Sequence, residues 1–279
     1  MKTRIIVDST SDLPQNIKDR VQVLPLTLRF GEEEFLDGVT IDHETFYKKL
    51  AQSGVLPTTS QATPAAFAAE YEKAKQADES AVVITVASKL SGTYQSAMIA
   101  ADDYENIYVV DSGNVAMGGG ILAELAVQYM DEGLSAKEIA EKLEEAKLKI
   151  VIVALVDTLE YLKKGGRISK TVAFAGTLLN IKPVIGVTDG EILMLGKARG
   201  AKQGTNLMAQ EIEKAGGIDT GKPVLLGYSG LSDAAVVKFI DDSKHLWGHG
   251  LGEIRYTSLG SVIGTHVGPG AVAIAFFHK

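Results

Sequence analysis

The chain alternates short β-branched runs with polar turns, and the turns with apolar residues at helical spacing. Residues 3–7 form the first run, and Asp8-Ser9-Thr10-Ser11-Asp12-Leu13-Pro14 follows as its turn. A short helix is expected from Pro14, capped by Asp12 or Ser11, since proline is tolerated in a first turn. Residues 21–30 read as a strand that Pro25 bends or confines to an edge. Residues 45–52 suit a short helix and 57–64 a proline-bounded loop, and Pro64 opens an alanine-rich helix to about residue 75. A buried strand at 81–86, a small polar turn and a helix at 94–102 come next. A strand at 107–110, ending in Asp111-Ser112-Gly113, leads to a helix at 118–132. Residues 134–149 are amphipathic, with Leu134, Ile139 and Leu143 along one side, and 150–156 form a near-continuous apolar strand.

Apolar strands joined by helices predict a parallel sheet covered on both faces. The turns at Asp8-Ser9, Ser88, Asp111-Ser112 and Asp157-Thr158 follow strand carboxyl ends and are expected to surround one crevice. The pattern changes after residues 162–169. A hairpin across Asp189-Gly190, a helix at 204–215, strands at 224–228 and 253–259 flanking a helix over 233–244, and a last strand at 271–277 follow. The expected fold is α/β. Residues 1–165 form a three-layer α/β/α domain with a parallel sheet, and residues 166–279 a two-layer α/β domain with a mixed sheet.

Composition narrows the function classes. With 46% of 279 residues hydrophobic, a substantial core is available. The net charge of -7 disfavours nucleic acid, whose phosphates need a basic surface. An anionic ligand would be held by local donors. The absence of cysteine removes disulfides, thiolate metal sites and cysteine nucleophiles, and fits a cytoplasmic protein. The first residues read as a strand and not a signal peptide, and no apolar run approaches the ~18 residues of a membrane helix.

Catalytic signatures are missing. There is no phosphate-loop or dinucleotide fingerprint, and Gly118-Gly119-Gly120 has the wrong spacing for one. Gly227-Tyr228-Ser229-Gly230 lacks the final glycine of a nucleophile elbow. His245 and His249 stand four apart without an acidic partner motif and read as a surface pair, so no metal and no cofactor is expected. Three donor-rich stretches remain. Thr58-Thr59-Ser60-Gln61 lies on the proline-bounded loop. Ser91-Gly92-Thr93 stands at a helix start, where backbone N–H groups favour an anion, although Ser91 equally suits a plain helix cap. Gly264-Thr265-His266-Val267-Gly268-Pro269-Gly270 reads as a glycine-rich loop carrying one histidine, and Arg167 and Arg199 add positive charge or are ordinary surface arginines. Such donors suit holding a carboxylate or phosphate better than cleaving a bond.

Taken in order, these stretches resemble the DegV family of bacterial fatty-acid-binding proteins, the FakB type. The matching pieces are the Asp8–Pro14 turn, Thr59-Ser60-Gln61, Ser91-Gly92-Thr93-Tyr94-Gln95-Ser96-Ala97, Gly165-Gly166-Arg167-Ile168-Ser169, Lys182-Pro183 and the Gly264–Gly270 stretch. The loop after Gln61 departs from the family in carrying Ala62-Thr63 before Pro64. The resemblance implies a DegV-like two-domain fold holding a long-chain fatty acid. Thr59, Ser91 and His266 would meet its carboxylate, and Ser60, Gly92, Thr93, Arg167 and Arg199 would support the head-group loops. It implies no catalysis by the chain itself. A separate ATP-binding fatty acid kinase would phosphorylate the presented carboxylate to an acyl phosphate for phospholipid synthesis, with transient contact at a membrane surface. Residues 174–179 and Ile263 are the candidates for the tail pocket, and residues 31–38 with the Arg167 loop for the partner surface. The alternative is an enzyme acting on a small hydroxylated or phosphorylated metabolite, like dihydroxyacetone kinases, with His266 as its reactive group.

Overall fold

The computed structural model describes residues 2–168, 180–248 and 252–279. Ser169, His249 and the tail-pocket candidates at 174–179 lie outside these described residues. The chain runs β1 (Lys2–Asp8), β2 (Gln22–Leu24), β3 (Thr27–Phe30), β4 (Glu33–Leu36), α1 (His43–Gln52), β5 (Thr58–Ser60) and α2 (Pro64–Gln76). It continues through β6 (Glu79–Thr85), α3 (Thr93–Ala101), β7 (Ile107–Asp111), α4 (Met117–Asp131) and α5 (Ala136–Ala146). Then come β8 (Ile150–Leu155), α6 (Glu160–Lys164), β9 (Ile181–Thr188), β10 (Glu191–Arg199) and α7 (Ala201–Lys214). The remainder is β11 (Leu225–Tyr228), α8 (Ala234–Asp242), α9 (Lys244–Trp247), β12 (Tyr256–Ser258), α10 (Ser261–Val267) and β13 (Val272–Phe277).

The first sheet is parallel, in the order β2-β1-β6-β7. Its two central strands carry apolar runs, Ile5–Val7 and Ala81–Ile84, because both of their faces are buried, while edge strand β2 leaves Gln22 and Val23 exposed. Val7, Val82 and Ile84 meet Ile121 of α4 and Ile139 of α5 on one side. Ile6 and Val83 meet Phe67 and Tyr71 of α2 and Ala97 of α3 on the other. This is the expected three-layer arrangement. The second sheet is mixed, in the order β10-β9-β8-β13-β11-β12. The β9–β10 hairpin turns at Asp189-Gly190, both at positive φ (49° and 76°), as a tight two-residue hairpin turn requires.

Several assignments change. The strand at Ile150–Leu155 does not join the parallel sheet but pairs antiparallel with β13 and β9 in the second sheet. A strand buried on both faces carries the same apolar sequence in either sheet, so its pattern does not name its neighbours. Residues 21–30 divide at Pro25 between two sheets: β2 joins the parallel sheet, and β3 forms a small antiparallel sheet with β4 and β5. That small sheet packs Leu28 and Phe30 against Phe46 and Leu50 of α1. It also turns part of the expected 57–64 loop into strand β5.

The glycine-rich stretch near the C-terminus is not a loop at its start. Residues Ser261–Val267 form α10, with Gly264 packed against Phe46 and Tyr47. The start of α10 is held by two buried carboxylates from elsewhere in the chain. The Gly260 N–H donates to Asp12 Oδ1 (2.7 Å) and the Ser261 N–H to Asp37 Oδ1 (3.1 Å). Burial pushes the Asp12 carboxyl well above the usual carboxylate range and raises Asp37 as well. Asp12 therefore serves α10, and the short 3-10 turn after Pro14 has no side-chain cap.

Helix α4 packs on strands of both large sheets. Its first turn is Met117-Gly118-Gly119-Gly120, and a Cβ on Gly120 would lie 2.1 Å from the Asp12 carbonyl oxygen. Gly120→Ala is expected to destabilise the fold by about 1–3 kcal/mol through this overlap. The change should appear as a lower denaturant midpoint at an unchanged slope. Gly54→Ala, where nothing lies within 4 Å, should leave the midpoint in place.

Candidate functional site

Between α4 and the inner face of the mixed sheet lies a cavity with about 910 Å³ of empty space, counted out to its mouth. Its walls are apolar: Val115 and Met117 at the start of α4, Ile152 and Ala154 on β8, Ile263 on α10 and Ala273 on β13. Among the described residues the polar lining is Thr10, Thr59, Ser60, Gln61, Ser91, Arg167 and His266.

A hydrogen bond joins Thr59 to His266, and Arg167 and Ser91 each bond to neighbouring groups. Thr59, on β5 opposite Leu28, places its Oγ1 2.9 Å from His266 Nε2 in the last turn of α10. Arg167 donates from Nε to the Leu90 carbonyl (3.2 Å), next to Ser91, and from Nη1 to the Gly165 carbonyl (2.6 Å). The Ser91 hydroxyl lies 2.8 Å from Thr93 Oγ1 and accepts from the Thr93 N–H at 3.3 Å. Ser91 is thus one residue ahead of its expected place, because the N-cap of α3 is Gly92, which makes no side-chain capping bond.

The electrostatics favour a neutral imidazole. Burial, helped by the Arg167 guanidinium, lowers the His266 pKa from its ordinary 6.5 to about 4. Its Nδ1 is buried without a hydrogen-bond partner among the described residues. One ring nitrogen alone therefore communicates with the polar end, through Thr59.

The structure brings Thr59, Ser60, Ser91, Arg167 and His266 together on one lining. Gly92 and Thr93 stand behind Ser91, and Thr93 is fully buried. Arg199 is not part of the lining. It ends β10, far along the hairpin from the Asp189-Gly190 turn, exposed and paired with Ile181. Ile263 lines the cavity. Sequence reasoning named Gln61 within the donor stretch and Thr10 within the Asp8–Pro14 turn but gave neither a place at the site. Gln61 donates from Nε2 to Ser96 Oγ (2.8 Å), linking the β5 segment to α3, and the Thr-Ser-Gln stretch was its only signal. The apolar walls gave no signal, because Met117 and Ile152 look like ordinary core. Among the described residues no group of three His, Asp or Glu side chains is arranged to hold a metal ion. No helix there is long and apolar enough to cross a membrane.

The arrangement resembles proteins already known. A family model described as "Uncharacterised protein, DegV family" matches residues 2–279. A DegV domain-containing protein of Caldanaerobacter subterraneus is 34% identical over 100% of this chain and 99% of its own length. A DegV family protein from Thermus thermophilus, whose structure is described as showing fatty acid binding, superposes with a TM-score of 0.89 at 31% identity, covering 100% of both chains. A stearic-acid-binding protein from Eubacterium ventriosum superposes with a TM-score of 0.88 at 27% identity, covering 100% of this chain and 99% of its own. With a family match across nearly its whole length and the same fold, the chain belongs to the DegV family.

Proposed function

We propose that this protein binds a long-chain fatty acid and presents its carboxylate to a partner fatty acid kinase, without carrying out chemistry of its own. The observation that supports this reading is the cavity itself, apolar along its walls with a clustered set of hydrogen-bonding residues. That is the profile of an amphiphile with one polar head. Thr59, Ser91 and His266 meet the carboxylate oxygens, and Arg167 supplies positive charge beside them. With His266 Nε2–H donating to Thr59 Oγ1, the threonine keeps its own proton for the ligand.

The chain of the ligand provides most of the affinity. Burying one methylene contributes roughly 0.8 kcal/mol, so a chain of about sixteen carbons offers on the order of 10 kcal/mol before ordering costs. The head-group donors set where the carboxylate sits. Presentation is supported by a second basin that shares Thr59, Arg167 and His266 with the cavity and adds Tyr161 and the exposed Lys164. A carboxylate held there is reachable from outside while its tail stays buried. The partner would supply ATP, and the acyl phosphate would enter phospholipid synthesis. The absence of cysteine suits a cytoplasmic setting. A small polyol would leave the apolar walls unfilled, so no observation favours the metabolite-enzyme alternative.

Protein purified without delipidation is expected to show, in native mass spectrometry, an excess matching a long-chain fatty acid that disappears on denaturation. A protein that stays empty after incubation with such acids would refute the reading. Thr59→Ala combined with Ser91→Ala should lower fatty-acid affinity about tenfold or more, the loss of charge-assisted hydrogen bonds, and abolish kinase-dependent turnover. Affinity for the fatty alcohol of equal length should change little, and equal losses for both would remove the carboxylate assignment. The pH profile follows from the neutral imidazole. Affinity should show no step near 6.5, because His266 titrates at about 4. It should fall only as pH drops into the carboxyl range of about 4–5, where the head group loses the charge the donors hold. A step near 6.5 that His266→Gln removes would show a charged imidazole instead.

A further inference from the structure

The outer basin holds a cation that the carboxylate site does not use. Lys164, the last residue of α6, is exposed and lines the basin. Its ammonium group has neither an ion pair nor a hydrogen bond among the described residues. Glu160, four residues earlier on the same helix, does not pair with it. The backbone that carries Lys164 is held against the site. A Cβ on Gly165 would lie 2.2 Å from His266 Nδ1, so the residue after Lys164 packs directly on the imidazole. Lys163 is equally exposed but does not line the basin.

The surroundings of Lys164 suit an anion. Among the described residues no Asp or Glu lines the basin. The carbonyls that end α6 would repel a negative group, but they are already occupied. The Tyr161 carbonyl accepts from the Gly165 N–H (2.8 Å), Leu162 from the Arg167 N–H (3.0 Å) and Lys163 from the Gly166 N–H (3.2 Å). The Gly165 carbonyl accepts from Arg167 Nη1 (2.6 Å). Arg167 is bonded to the Leu90 and Gly165 carbonyls and is a fixed charge on the lining that cavity and basin share. Lys164 is a compact charge on a flexible stem, able to follow a group that arrives there. The whole chain carries a net charge of -7, so an anion in the basin depends on these local cations.

A fatty acid with its tail in the cavity has its carboxylate at Thr59 and His266, which cavity and basin share. In the transfer a carboxylate oxygen forms a bond to the γ-phosphorus of the partner's ATP. The bond from that phosphorus to the β–γ bridging oxygen breaks, and ADP leaves with the electron pair. The phosphoryl group then extends from the carboxylate away from the tail, into the basin. It carries roughly two negative charges near pH 7, more than the carboxylate it replaces. We propose that Lys164 receives the phosphoryl group of the acyl phosphate, so that the site distinguishes product from substrate by a cation the substrate does not touch. This rests on the fatty-acid reading above.

The test compares two ligands on the full-length protein after removal of copurified lipid. One is hexadecanoate. The other is 2-oxoheptadecylphosphonate, a stable analogue of the sixteen-carbon acyl phosphate in which a methylene replaces the bridging oxygen. The wild-type protein should bind the phosphonate at least as tightly as the acid. Lys164→Ala should weaken phosphonate binding about tenfold, the worth of one charge-assisted hydrogen bond, and leave hexadecanoate binding in place, which also reports that the variant is folded. Lys164→Arg should restore most of the loss, and Lys163→Ala should change neither affinity. A wild-type protein that binds hexadecanoate but rejects the phosphonate would overturn the assignment of Lys164 and leave the fatty-acid reading standing. So would a Lys164→Ala variant that loses both ligands equally or neither, or a Lys163→Ala variant that loses as much phosphonate affinity. Failure of the wild-type protein to bind either ligand would overturn the fatty-acid reading itself, and the assignment with it.

Discussion

The contact on which the rest of this molecule depends is the approach of α4 to both large sheets at once. Its glycine turn lies against the Asp12 carbonyl on one side, and the Cδ1 of Ile152 reaches into the space left by Gly118 on the other. One helix therefore supplies inner-face packing for the parallel sheet and for the mixed sheet, and the largest apolar cluster runs through all three. Helices α7 and α8 cover the outer face of the mixed sheet, where Met208 and Phe239 join Val153, Leu155 and Ile274. Its inner face is left partly to the cavity.

The polar end depends on a second convergence. Its donors come from the small sheet, the turn after β6, the segment after α6 and the end of α10, and only the tertiary fold brings them together. Helix α10 connects two kinds of chemistry. Its start is fixed by the buried carboxylates of Asp12 and Asp37, and its last turn carries a neutral His266. Its middle residues Val262 and Ile263 belong to the cavity wall. The result is a polar end built from hydroxyls, one imidazole and one arginine that is already bonded to backbone carbonyls. The proposed anion would meet it without several free charges confined in an apolar surround, which would carry a large desolvation cost.

Much of this was legible in the chain. Strands β1, β6 and β7 announced themselves as β-branched runs, and the Asp189-Gly190 hairpin by its turn residues. What escaped did so for physical reasons. The run at Ile150–Leu155 carries no mark of which sheet it joins, since burial on both faces erases alternation. The stretch at Gly264–Gly270 reads as a loop by propensity. The helix over its first part exists because Gly264 admits Phe46 and Tyr47, a tertiary effect that overrides local preference. Donor types singled out Thr59, Ser91 and His266, and family resemblance linked them, but their meeting required registers such as Leu28 opposite Thr59. Arg167 and Arg199 looked alike in sequence, and only the hairpin geometry separates the one on the lining from the one at the exposed strand end.

The cavity walls double as the hydrophobic core between the two sheets: Met117, Ile152, Ile263 and Ala273 line the cavity and belong to the same apolar cluster that holds the fold together. Whatever fills the space becomes part of that core. A ligand that binds the folded chain and not the unfolded one stabilises it in proportion to the logarithm of its concentration over its dissociation constant. Cleavage of the transiently opened chain falls with its population. A chain built this way is harder to unfold, and so harder to cleave, when that space is filled than when it is empty.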